Sequence, residues 1–153
     1  IARILAKQSD AQFFQLSAID SSVKEVRSIL ETARKLPNTV LFIDEIHRFN
    51  KAQQDSLLKA VEEGTITLIG ATTENPSFEV ISALLSRSQV FVLNHLTKQD
   101  LDALLENVLT RDEELMGLNV VLKETDTLIA YSGGDVRKLL NLLDMYIKQA
   151  VSK

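Results

Sequence analysis

The chain has 153 residues, 45% of them hydrophobic, enough for one packed domain with a small appendage, and its formal net charge of −4 makes any contact with a polyanion a local affair. It has no cysteine and two histidines, His47 and His95, which excludes disulfides and thiolate metal sites and leaves any metal to oxygen ligands. No apolar run approaches the roughly 20 residues of a bilayer span and the N-terminal residues do not read as a secretory signal, so the expected address is the cytoplasm.

Residues 1–8 carry apolar side chains at helical spacing with no N-cap ahead of them, as in a helix already under way. Phe13 to Ala18 reads as a short strand. Ser21 or Ser22 can cap a helix running to Lys35, with Val23, Val26, Ile29 and Leu30 as its apolar stripe, and Pro37-Asn38 ends it. Val40-Leu-Phe-Ile43 is a continuous run of β-formers, the mark of a strand buried on both faces of a parallel sheet, and it delivers Asp44 and Glu45 at its carboxyl end. Lys51 to Glu63 reads as a helix closed by Gly64, and Thr65 to Ile69 as another buried strand. Asn75-Pro76 breaks the chain, a short helix covers Val80 to Leu85, and Val90 to Leu93 is the last strand candidate. From there only helices are expected: Thr97 to about Arg111, Lys123 to Tyr131, and one opened by Gly134-Asp135 towards Ala150. Strands alternating with helices, then helices alone, imply an α/β body over 1–95 and a helical domain over 96–153.

Four elements carry chemistry. In Val40-Leu-Phe-Ile-Asp-Glu45 a strand presents two adjacent carboxylates: Asp44 is suited to hold Mg²⁺ through its water shell, Glu45 to polarise an attacking water. The bland alternative is a strand that ends in an acidic loop. In Ile69-Gly-Ala-Thr-Thr-Glu-Asn75 small residues permit close backbone approach, and Thr72, Thr73 and Asn75 can hydrogen-bond a phosphate oxygen or the water beside Glu45. Arg87 follows a short helix in Leu84-Leu-Ser-Arg87 and offers a permanently charged fork to a phosphoryl group on another subunit. In Gly133-Gly-Asp-Val-Arg137 a glycine-rich helix start places Arg137 one turn into the helical domain. Each arginine has solvent exposure as its simpler explanation.

In this order and spacing the four resemble one family. Leu41 to Asp55 (LFIDEIHRFNKAQQD), Gly64 to Glu79 (GTITLIGATTENPSFE) and Ala83-Leu-Leu-Ser-Arg87 are similar to the replication-associated recombination protein A ATPases, which include the Werner-helicase-interacting proteins and are relatives of clamp loaders and Holliday-junction branch-migration motors. The resemblance covers essentially the whole chain. It implies an AAA+ parallel sheet followed by a helical lid, with ATP and Mg²⁺ as cofactors, Asp44 and Glu45 as the Walker B pair, Thr72 or Thr73 as sensor 1, Arg87 as the arginine finger and Arg137 as sensor 2. It further implies homo-oligomers acting on single-stranded or forked DNA at stalled replication forks, with partners such as single-strand binding protein and a nucleoid-associated cytoplasmic location. Lys24 and Arg27 match a helix start that faces DNA in clamp loaders.

The family's G-x-x-x-x-G-K-[ST] phosphate loop is not in the sequence, whose glycines are Gly64, Gly70, Gly117, Gly133 and Gly134. That loop supplies backbone N–H groups and a lysine to the phosphates, so the polypeptide by itself is expected to hydrolyse no ATP. With it goes the strand that, in the family order 5-1-4-3-2, lies between the strands at Val90 and Thr67, so the sheet is expected to be incomplete and the chain part of a longer protein. Two rival readings remain: a non-hydrolysing assembly subunit that only lends Arg87 to a neighbour, and a phospho-acceptor receiver domain. The receiver requires an acidic pair after the first strand, which is absent here.

Overall fold

The computed structural model describes residues 1–19, 21–118 and 120–151. The chain divides into two compact units, Ile1–Phe91 and Val92–Lys153. In the first, β1 (Gln12–Ser17), β2 (Thr39–Asp44) and β3 (Thr67–Gly70) form a parallel sheet in the order β1-β2-β3. The most apolar segment, β2, takes the central position, because only there are both faces and both edges of a strand covered. Gln12 pairs with Thr39 and Ser17 with Asp44 on one side, and Val40 with Thr67 and Ile43 with Gly70 on the other.

Alternation along β2 decides what packs where. Leu41 and Ile43 are fully buried and join Leu16, Val26, Leu30, Leu57 and Ala60 in one core, so this face of the sheet is covered by α2 (Val23–Ala33) and α3 (Lys51–Glu62). Each such aliphatic side chain contributes about 1.5–3 kcal/mol on burial. Phe42 points the other way and stacks on Phe13 with ring centroids 6.4 Å apart, while the Arg3 guanidinium of α1 (Ala2–Gln8) lies 5.5 Å from the Phe13 centroid.

Caps set the helix starts. Ser22 is the residue that caps α2, in a reciprocal box: its N–H donates to Glu25 Oε2 at 2.6 Å and its Oγ accepts from the Glu25 N–H at 3.3 Å. Asn50 and Gln53 form the same box at α3, and Gly64, at φ 66°, ends α3 in the left-handed region that glycine enters without strain.

Three expectations need correction. Val90–Leu93 is no strand: beyond β3 the sheet has no further strand among the described residues, and a strand without a ladder neighbour leaves its backbone groups unpaired. Val90 to Leu93 are accordingly exposed. The expected strand at Thr65 starts at Thr67, because the N–H groups of Thr65 and Ile66 turn back to Ala60 O. Asn75-Pro76 begins a helical turn where a break was expected: Asn75 Oδ1 accepts from the Ser77 N–H and proline occupies N1, giving α4 (Pro76–Glu79) before α5 (Ser82–Leu85).

The described residues of the second unit form four helices joined by loops, α6 (Lys98–Arg111), α7 (Glu113–Met116), α8 (Asp126–Ser132) and α9 (Val136–Val151), with no strand among them. Leu139, Leu143 and Ile147, one turn apart on α9, meet Leu101, Leu105 and Leu128 in its core. The sequence does not announce α7, and α8 starts later than the expected Lys123, with the Thr125 hydroxyl donating to Asp102 at 2.7 Å.

Candidate active site

The carboxyl end of the sheet is where the candidate residues gather. Asp44 is the last residue of β2; its carbonyl accepts from the Ala18 N–H at 3.0 Å and its side chain is exposed. The chain then turns sharply. Glu45 adopts φ 55°, ψ 45°, a left-handed conformation that costs a residue with a side chain roughly 1–2 kcal/mol. That cost is sustained by the bonds around it: Ile46 N–H to Ala71 O at 3.0 Å, Ala71 N–H to Ile43 O at 2.9 Å, and Arg48 N–H to Glu45 O at 2.8 Å. The turn therefore lies directly beside the chain leaving β3.

Gly70 makes this approach possible. A Cβ there would sit 3.0 Å from Ile46 Cδ1 and 3.2 Å from its Cγ2, inside ordinary contact distance. With the two segments so close, side chains meet across them. His47 Nδ1 lies 2.9 Å from Thr72 Oγ1, and His47 Nε2 lies 3.2 Å from Glu45 Oε2. Thr72 Oγ1 also accepts from the Glu74 N–H at 3.0 Å. Glu45 and Thr72, expected from the sequence to be neighbours, are thus joined through a histidine that sequence reasoning passed over except as a scarce metal ligand. Its position two residues after Glu45 was visible; its bond to a threonine 25 positions away was not.

Thr73 is exposed and stands outside this hydrogen-bonded chain. Asn75 is exposed and commits its Oδ1 to the α4 cap, so that only its amide N–H groups remain as donors. Arg87 is held within its own chain: its Nη2 lies 2.6 Å from Glu62 Oε1 and its Nη1 donates to Ala83 O at 2.8 Å. Lys24 and Arg27 are exposed on the first turns of α2. Arg137 is exposed in the first turn of α9, in the second unit.

Two buried glutamines on α3 were also passed over. Gln53 donates to Ser21 O at 2.9 Å, and Gln54 donates to Phe49 O and Glu79 O, both at 3.0 Å, while accepting from the Ile81 N–H. They tie the loop before α2 and the loop after α4 to the same helix. A buried amide is tolerated only when its groups are paired in this way.

Among the described residues no three His, Cys, Asp or Glu side chains gather to hold a metal, and no helix is long and apolar enough to cross a membrane. A lone exposed carboxylate such as Asp44 suits Mg²⁺, which takes one or two carboxylates and fills its remaining positions with water and phosphate oxygens.

Comparison with known proteins bears on the family and the fold. Residues 1–96 match the ATPase family associated with various cellular activities (AAA). The chain is 45% identical to replication-associated recombination protein A of Coxiella burnetii over 95% of its length, and 46% identical to ATPase WRNIP1 of Dictyostelium discoideum over 97%. It spans 34% of the former and 18% of the latter. Among solved structures, the RuvB Holliday junction branch migration motor of Thermotoga maritima superposes with a TM-score of 0.71 at 29% identity, covering 92% of this chain and 47% of that one. A parallel sheet with acidic and hydroxyl side chains at its carboxyl end, and a sequence matching these relatives along nearly its whole length, lead to one assignment: the chain belongs to the AAA family of ATPases, within the replication-associated recombination protein A group.

Proposed function

We propose that the protein carrying this chain hydrolyses ATP at the carboxyl end of the β1-β2-β3 sheet and uses the cycle to act on DNA during replication-associated recombination. The observation that carries the reading is the juxtaposition of Asp44 and Glu45 with the Thr72-Thr73 segment across two hydrogen-bonded strand ends. Ligands of open α/β sheets bind at this end, and the relatives' names supply the biological setting.

Asp44 would hold Mg²⁺ through water, and the bound ion would neutralise charge developing on the β- and γ-phosphates. Glu45 accepts a proton from the water whose oxygen attacks the γ-phosphorus, while the bond from that phosphorus to the β–γ bridging oxygen breaks and ADP departs. Of the two threonines left open by the sequence, Thr73 is the better reader of the γ-phosphate, because the Thr72 hydroxyl is already engaged. Asn75 orients the same phosphate through its amide N–H groups, Arg87 serves a neighbouring subunit, and Arg137 is the candidate sensor 2 arginine. Lys24 and Arg27 are the candidate DNA contacts. Single-stranded or forked DNA, a homo-oligomeric ring, single-strand binding protein and a nucleoid-associated cytoplasmic location complete the proposal.

The test is Glu45→Gln in the full-length protein, expected to lower kcat by roughly 100-fold or more while ATP binding persists. Unchanged turnover would favour the rival reading, an assembly subunit that only lends Arg87. The 153-residue polypeptide alone is expected to show no ATP turnover, since the sequence contains no phosphate-gripping glycine-lysine loop; steady hydrolysis by it would overturn that expectation.

A further inference from the structure

We propose that His47 is a positioning residue, the link that makes the orientation of Glu45 depend on the Thr72-Thr73 segment. The inference rests on the ATPase reading above and deepens it. Its basis is a chain of hydrogen bonds whose direction is set by chemistry. A carboxylate oxygen only accepts, so the hydrogen between His47 and Glu45 belongs to Nε2. In the uncharged ring Nδ1 is then an acceptor, and the 2.9 Å contact with Thr72 is a bond donated by the threonine hydroxyl. That hydroxyl is fixed in turn, since its oxygen accepts from the Glu74 N–H at 3.0 Å. The sequence of donors runs from Glu74 N–H to Thr72, from Thr72 to His47, and from His47 to Glu45.

Three consequences follow. Thr72 has one proton and two acceptors in reach, His47 Nδ1 at 2.9 Å and Glu74 O at 3.5 Å; the much shorter contact takes it, so Thr72 anchors the imidazole, and its neighbour Thr73 is left to meet a phosphate. Glu45 has one carboxylate oxygen held by the ring and Oε1 left to receive a proton from water. The His47 side chain is only 12% exposed against 31% for Glu45, so the ring is the sheltered half of the pair and the carboxylate the accessible half. A shift of the Thr72-Thr73 backbone when phosphate arrives or leaves would pass through two bonds to the base. Side chains that orient the ligands of metal sites are worth roughly 10- to 100-fold in activity, and the lower end of that range sets the scale expected for His47.

The experiment is a double-mutant cycle in the full-length protein, with kcat and the affinity for a fluorescent ATP analogue measured separately. His47→Ala and Thr72→Val are each expected to lower kcat roughly 10-fold or more with nucleotide affinity unchanged. The double variant should be no worse than the poorer single one, because both break the same chain, and Thr72→Ser, which keeps the hydroxyl, should retain wild-type kcat. Losses that multiply in the double variant, a parallel loss of nucleotide affinity, or equal activity of Thr72→Val and wild type would each overturn the proposal. Should His47→Ala fail to fold, the Thr72→Val and Thr72→Ser pair decides alone. If Glu45→Gln abolishes turnover while His47→Ala does not affect it, only this inference fails; if Glu45→Gln is also silent, the ATPase reading fails with it.

Discussion

Gly70 shows how a residue without chemistry of its own shapes the site. Its missing Cβ is the space into which Ile46 packs, and Ile46, 5% exposed, sits between Glu45 and His47. Gly70→Ala is therefore expected to destabilise the fold by about 1–2 kcal/mol and to lower turnover together with it, since Ile46 can retreat only by moving the turn. Ile46→Val, which deletes the Cδ1 atom at 3.0 Å, should recover much of both losses in the Gly70→Ala background. Equal melting temperatures for wild type and Gly70→Ala would show that the space is not needed. The small residues after β3 were legible in the sequence as a place of close backbone approach; which atom approaches was not. His47 was less legible still, because its role depends on a register between two strands, and nothing near position 47 encodes Thr72.

The starts of α2, α3 and α6 were legible to within a residue, because a cap is a local pattern, although Ser21 and Ser22 were both open for α2 and Asn50 was not named for α3; α4, α7 and the start of α8 were not legible. Ser22 and Glu25, Asn50 and Gln53, and Thr97 and Asp100 all close as reciprocal boxes. The segment at Val90–Leu93 was misread for the opposite reason: β-propensity describes a strand only when a neighbouring strand exists to pair with it. Capping also gives a pH dependence whose sign is fixed. The Ser22 backbone N–H, and after it the Ser22 hydroxyl, hold the Glu25 carboxyl below the usual glutamate range. A carboxyl lowered on folding adds stability that is complete above the unfolded value of about 4.3 and disappears as pH falls through the lower folded value. Glu25→Gln keeps a side-chain acceptor for the cap and removes the charge. Wild type should therefore melt higher than Glu25→Gln at pH 7, with the gap narrowing below about pH 4.5 and closing in stronger acid. A gap that persists undiminished into strong acid would show that the Glu25 charge is not its source.

At the scale of the oligomer proposed above, the question is which subunit Arg87 would serve. Within its own chain the guanidinium pairs with Glu62 at 2.6 Å, and both side chains are about two-fifths exposed. An ion pair that open to water is worth at most about 1 kcal/mol, so it restrains Arg87 without preventing its transfer to a neighbour's phosphate. If Arg87 acts across an interface, each complete site draws Glu45 from one subunit and Arg87 from the next. Homogeneous rings of Glu45→Gln or of Arg87→Ala would then both be inactive, for different reasons. Mixing them places Arg87→Ala subunits, which keep the base, beside Glu45→Gln subunits, which keep the arginine, and some interfaces regain both groups. ATP turnover is expected to reappear on mixing after subunit exchange, measured by phosphate release, and to be absent from either variant alone. Were Arg87 needed only for its bond to Glu62, each Arg87→Ala subunit would carry its own defect wherever it sat, and mixing would restore nothing. Glu62→Gln separates the two in the same direction: an arginine that works across the interface should retain full turnover without its resting partner, and one whose sole task is the ion pair should not.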